Sequence, residues 1–399
     1  MLNQLEQPAP QGKTALLQLG FRPFFAGAAI FSILSMLAWS GLYVFNMHWY
    51  QATLPAVTWH AHEMVYGYGL AVIAGFLLTA VKNWTGVQTL RGVPLLLLFL
   101  LWLAGRLLLA AGDRVPLGLA AAADCLFIAL LVVAVACPIV RVRQWQQLGI
   151  LSKLVLLFAS NAVFYAGALN LLPGGTRIGL YSGVYLIMAL IFVMARRVLP
   201  FFIQNAVDSQ ISLQNRNWLD IASLLLFLIF WAADIIAPDS LPVAVLAGTL
   251  CILHAIRLAD WFTPAIFLKP LLWVLYLGYA ALVAGFALKA AVVAAGVSPF
   301  IALHAFTYGG IGLFTLGMMT RVTLGHTGRN VSEPPAMMSW IFTGIVAGTV
   351  IRVLLPLIAP LHYSLWMGLS QALWIAAFGL FLAICLPMLL QPRIDGRPG

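Results

Sequence analysis

The chain has 399 residues, of which 63% are hydrophobic and only 8% charged, with a mean hydropathy of +1.01. A soluble domain carries about 25% charged residues, so the composition excludes a soluble globular class and points to an all-α, polytopic membrane bundle. The formal net charge of +10 does not signal nucleic-acid binding, because the basic residues are scattered between apolar runs and read as topology signals.

A membrane-spanning helix needs about 20 mostly apolar residues. On that rule about twelve spans are expected, near 21–46, 59–81, 93–111, 117–140, 148–171, 179–203, 217–236, 241–258, 268–291, 297–320, 336–359 and 363–390. No connection is long enough to form a second domain, so residues 1–399 are expected to be one integral membrane unit. Residues 1–20 lack the apolar stretch of a cleavable leader and read as a short cytoplasmic tail, as do residues 391–399. Of the 21 Lys and Arg residues, 16 fall on one set of loops and ends. That asymmetry predicts cytoplasmic N- and C-termini. The first outer loop, with Trp49, Tyr50 and Trp59, reads as part of an aromatic belt. The four cysteines lie inside apolar runs and form no CxxC or CxxCH, which argues against an iron–sulfur cluster, a zinc ribbon or covalently attached haem.

The second span opens with Trp59-His60-Ala61-His62-Glu63-Met64, an expensive place for polar groups. The tenth span opens with His304-Ala305-Phe306-Thr307-Tyr308-Gly309. From His62, a Tyr, a Gly, a Gly, a Thr and a Gly follow at +4, +5, +13, +23 and +24 (Tyr66, Gly67, Gly75, Thr85, Gly86). From His304, Tyr308, Gly309, Gly317, Thr327 and Gly328 occupy the same offsets, which reads as an internal repeat of one helix. The sixth span carries a weaker echo, Arg197-Val198 against Arg321-Val322, so a three-times-four-helix arrangement is conceivable.

Imidazole in a bilayer serves as a metal or haem ligand, a proton relay or a structural post. A haem iron takes axial imidazoles from opposite faces, so two helices must each offer one. His62 and His304, at matching repeat positions, are the expected pair. His60 lies roughly 200° round the helix from His62 and is expected to point to the opposite face, toward a second metal such as copper or toward a hydrogen bond. Glu63 would orient a ligand imidazole or carry protons, and Tyr66 and Tyr308 would donate hydrogen bonds to a bound ligand. Gly67 and Gly309 would let either a flat macrocycle or another helix approach. Arg106 and Arg352 are candidates to meet haem propionates. His254 and His326 are further metal-ligand candidates on the inner side.

Phe21-Arg22-Pro23-Phe24-Phe25, Trp59-His60-Ala61-His62-Glu63-Met64, Asn83-Trp84-Thr85-Gly86, Gly105-Arg106, Arg197-Val198-Leu199-Pro200-Phe201-Phe202 and Met319-Thr320-Arg321-Val322 together resemble the NnrS family over nearly the whole chain. That resemblance implies a bacterial inner-membrane protein with haem (haem b) and copper, linked to denitrification and defence against nitric oxide. It adds Arg321 to the candidate cofactor contacts. It also implies an oxidoreductase-like reaction with nitric oxide, supplied by a quinol or cytochrome electron donor within the membrane lipid. The competing classes are a transporter or metal chaperone, and a haem-based sensor or assembly partner.

Overall fold

The structure, a computed structural model, describes residues 15–47, 54–207 and 213–397. The expectations for Trp49, Tyr50 and the first fourteen residues of the N-terminal tail lie outside the described residues. Among the described residues, twelve helices are long and apolar enough to cross a membrane: α1 (Phe21–Tyr43), α2 (Ala56–Thr85), α3 (Val93–Ala110), α4 (Leu117–Arg141), α5 (Trp145–Ala168), α6 (Gly175–Ala206), α7 (Asn217–Ile236), α8 (Leu241–Asp260), α9 (Pro270–Ala295), α10 (Pro299–His326), α11 (Met337–Ile358) and α12 (Pro360–Leu390). All regular structure among the described residues is helical.

Proline sets several of the starts, because its fixed φ suits the first helical turn and its missing N–H is not needed there. Pro55 caps α2, while Pro270 and Pro299 open α9 and α10. Glycine ends the two repeat helices in the same way. Gly86 (φ +69°) and Gly328 (φ +79°), equivalent in the repeat, both take the left-handed conformation that a helix stop requires. The two repeat helices also share an irregularity that alternation and hydropathy do not reveal. A π-helical segment runs over Glu63–Gly69 in α2 and over Ala305–Gly312 in α10, each beginning one residue after the repeat histidine. Such widened turns are uncommon and often sit at functional sites.

Three helices make the centre. The most apolar windows of α2, α6 and α10 are 83%, 72% and 78% buried, whereas those of the other nine range from 28% to 61%. The central three touch one another, and the remaining helices surround them. The surrounding helices turn large apolar side chains outward, including Leu107, Ile236 and Ile252, as a lipid-facing surface demands. Both ends of the described chain meet at one end of the bundle, where the Ala15 N–H donates to the Leu390 carbonyl at 2.8 Å. Beside that contact Arg22, 0% exposed, donates from Nη1 to the carbonyls of Met388, Leu389 and Gln391 at 3.2, 2.8 and 2.7 Å. It thus satisfies the free carbonyls that end α12. We call this the termini end, and the opposite one, where α2 and α10 begin, the far end. One sequence expectation changes here: Trp59 is not a belt residue, because α2 has already started at Ala56 and its indole is buried.

Candidate functional site

At the far end, α1, α2, α6, α10, α11 and α12 enclose a cavity of 370 Å³. His304, five residues past the proline that starts α10, is fixed from below by its own helix. Its Nδ1 lies 2.7 Å from the Phe300 carbonyl, which can only accept, so Nδ1 carries the proton. The lone pair therefore sits on Nε2, which accepts a hydrogen bond from Arg352 Nη2 of α11 at 3.1 Å. Arg352 is 6% exposed, donates from Nη1 to the Tyr363 hydroxyl at 3.1 Å, and has no carboxylate partner among the described residues. Across the cavity, His60 stacks flat on Trp39 of α1, with ring centroids 4.5 Å apart and planes 8° from parallel. Its Nδ1 is buried without a hydrogen-bond partner. Met36, Met64, Met367, Tyr68, Tyr308, Gln371 and Trp374 complete the polarisable part of the wall. The Gln371 and Trp374 side-chain nitrogens are likewise buried and unpartnered.

The structure does not bring His62 to this cavity, so the expected His62–His304 pair is corrected. His62 faces away, toward α4 and α5, and both of its ring nitrogens are engaged. Nδ1 lies 3.0 Å from Glu63 Oε1 and Nε2 lies 3.1 Å from Asn161 Oδ1, with Asp124 Oδ2 at 3.7 Å. Arg106 of α3 bridges Glu63 and Asp124, and the Tyr165 hydroxyl donates to Asp124 Oδ2 at 2.6 Å. His62, Glu63, Arg106 and Asp124 are all at most 2% exposed, so the cluster is a closed, internally paired charge network. No lone pair of His62 is free for an iron unless that network is dismantled. His62 faces α4 and α5, which follow α2 in the chain, whereas His304 meets Arg352 of α11, which follows α10. The near-opposite directions of His60 and His62 along α2 are as the helical geometry requires, but it is His60 that shares the cavity with His304.

The other expected contacts separate in the same way. Arg106 and Glu63 belong to the charge network rather than to the cavity, and Tyr66 donates to the Gly179 carbonyl at 2.7 Å, away from it. Tyr308 does line the cavity, with its hydroxyl donating to the Ser370 carbonyl at 2.7 Å. Gly67 and Gly309 serve helix packing rather than a macrocycle. A Cβ on Gly67 would approach Phe31 to 2.5 Å and Arg106 to 3.0 Å, and one on Gly309 would meet Ala281 and Thr349 at 2.8 Å. His254 is enclosed between Phe192 and Phe286 and hydrogen-bonded to Tyr279 at 2.6 Å. His326 lies at the termini end, 3.4 Å from Asn83, in a different cavity that it shares with Arg321. Seventeen residues separate His304 from Arg321, about 25 Å along a helix, so one small ligand does not touch both. Among the described residues no three His, Cys, Asp or Glu side chains gather to hold a metal ion. A copper ion in the far-end cavity would therefore draw on the thioether sulfurs of Met36, Met64 or Met367, which are soft donors.

Reading along the chain missed Asn161, Tyr165, Met64, Tyr68 and Gln371. Their signal was weak but present: Asn161 and Gln371 are polar amides in the middle of apolar spans, where an amide needs a partner. A comparison with curated proteins gives no match. The family profile described as NnrS protein matches residues 15–393. The motif residues at the starts of α1, α2 and α10 thus belong to one continuous match, and the chain is a member of the NnrS family.

Proposed function

We propose that this protein carries haem b, and copper beside it, in the far-end cavity, and that it binds nitric oxide there and removes it by reduction. The observation that carries the reading is Arg352: a buried cation without a carboxylate partner among the described residues, facing a cavity beside two imidazoles. An unpaired charge at such depth costs at least about 2.5 kcal/mol, which a carboxylate-bearing ligand would offset. The donor set fits the group. His304 is held in the tautomer that presents Nε2, and its Nδ1–H···O=C bond is the usual support for a ligand imidazole. His60 brings an unsatisfied nitrogen. The volume falls in the ordinary range for ligand sites, about 300–1,000 Å³.

His60 and His304 would hold the group, which when bound supplies a redox-active iron, and nitric oxide would bind in exchange for one of the two imidazoles. Arg352 would turn from His304 to the carboxylates, which frees Nε2. Trp39 keeps the His60 ring in plane, and Tyr308, fixed by Ser370, holds one wall. Nitric oxide is small and apolar, so entry between helices needs no charged funnel. Joining two molecules of nitric oxide into nitrous oxide and water consumes two electrons and two protons. A quinol or a cytochrome is the donor class that a membrane site of this kind meets. The same reading puts the protein in a bacterial inner membrane with both termini in the cytoplasm.

The test is an optical spectrum of the detergent-purified protein, reduced with and without nitric oxide, with metal analysis on the same sample. Expected are b-type bands that shift on adding nitric oxide, lost in both His60→Ala and His304→Ala and kept in His62→Ala. A colourless, metal-free wild type overturns the proposal.

The paired π segments favour a second reading. Irregular helices in corresponding positions of a repeat are a feature of transporters. Copper uptake into vesicles by protein that holds no haem would put transport in place of reduction.

A further inference from the structure

The termini end of the three central helices holds a second cavity, of 490 Å³. Its mouth is set by the exposed Asn83 and Arg197, and its floor by Phe76, Met194 and Met318. Two guanidinium groups are laid on aromatic rings along its wall. Arg321, partly buried, lies 3.5 Å from the centroid of Phe202, and Arg197 lies 5.0 Å from that of Trp84 while donating to Gln147 Oε1 at 3.0 Å. Among the described residues no Asp or Glu lines the cavity, and neither arginine makes an ion pair. We propose that this cavity binds the phosphate or carboxylate head of an anionic amphiphile, with the apolar part of the ligand over Phe76, Met194 and Met318.

Arginines that serve only to orient the chain would extend into water, and nothing would require them to flank an apolar-floored cavity. Packing on Phe202 and Trp84 orients both guanidinium groups, so that Arg321, with the Arg197 donors that Gln147 does not take, can meet an oxyanion. The floor argues for an amphiphile over a free anion. Phe76, Met194 and Met318 also line a third, mostly apolar cavity of 70 Å³, which shares Ile187 with the histidine cavity. Basic pockets between spanning helices are a known way to take anionic head groups.

The experiment is native mass spectrometry and a thermal-shift titration of the purified full chain with three probes: short-chain phosphatidylglycerol, the matching phosphatidylcholine, and inorganic phosphate. Expected is saturable binding of phosphatidylglycerol, with no binding of phosphatidylcholine. Arg197→Gln and Arg321→Gln should each weaken it about tenfold, the loss of one charge-assisted hydrogen-bonded contact, while Arg321→Lys falls between. Phosphate binding as tight as the lipid would support the oxyanion site and assign its ligand to solution. Unchanged affinity in the double Gln variant, with native elution volume and helix content, overturns the proposal, as does binding of none of the probes. His304→Ala should leave the titration unmoved, so this outcome is separate from that of the histidine cavity.

Discussion

Two polar centres lie at the far end of the bundle, and they have opposite characters. Around His62 every charge has met its partner: Arg106 lies between Glu63 and Asp124, and both imidazole nitrogens are engaged. Around His304 the accounts stay open, with a cation lacking a carboxylate, an imidazole of His60 with a free nitrogen, and a cavity between them. Two helices that open on matching motifs thus place their motif histidines differently, His62 in a paired network and His304 on a cavity wall. The difference shows why a repeated residue need not have a repeated role, since its role depends on which neighbours fill the interface it faces.

The largest expected effect would break the open centre alone. His60→Ala or His304→Ala should abolish haem retention while thermal stability of the apoprotein changes little, as read by absorbance and by melting in detergent. The next would break the paired network alone. Arg106→Met leaves Glu63 and Asp124 buried and uncompensated, and removing one partner of a buried pair costs about 3–5 kcal/mol. That variant should accumulate poorly and melt much lower. The triple change that also converts Glu63 to Gln and Asp124 to Asn should recover most of the loss, and a triple variant no more stable than Arg106→Met would refute the network account.

The twelve spans were legible because hydropathy and length are enough to find a membrane helix, and the structure has twelve candidates in the same order. The special standing of α2 and α10 was legible too from their matching offsets, but not that Gly86 and Gly328 among them end the helices, which run past the expected ends at 81 and 320. The direction of the histidines was not. A helical period separates His60 from His62 but does not say which of them looks into the bundle's open space. Matching offsets favoured His62, because they mark equivalence within a repeat and carry no information about the facing interface. Nor could spacing pair Arg106 with Asp124, since two charges on different helices share no period. The π segments were hidden as well: Glu63–Gly69 and Ala305–Gly312 have no composition that separates them from an ordinary glycine-rich helix start.

A smaller change would sharpen the comparison from the side of the paired network. His62→Ala deletes a ring that joins Glu63 to Asn161 and leaves two buried acceptors each short of one hydrogen bond, a cost of about 1–3 kcal/mol per group. The melting point should fall measurably while the haem-to-protein ratio stays that of wild type. Loss of haem in this variant at unchanged stability would return the ligand role to His62.

The smallest effect is expected at Tyr308, the one repeat tyrosine on the cavity wall. Tyr308→Phe removes only the hydroxyl that donates to the Ser370 carbonyl, one neutral hydrogen bond worth about 0.5–1.5 kcal/mol. Its counterpart Tyr66→Phe removes the hydroxyl that bonds the Gly179 carbonyl at 2.7 Å and Ser160 Oγ at 2.9 Å, outside the far-end cavity. Both should lower the melting point slightly, Tyr66→Phe the more because its hydroxyl also contacts Ser160. They should differ in the spectrum of the bound group: Tyr308→Phe changes the wall against the ligand and should shift the nitric oxide adduct bands, and Tyr66→Phe should not. Equal spectral shifts in the two variants would mean that the two halves of the repeat are coupled more closely than their separate neighbours indicate.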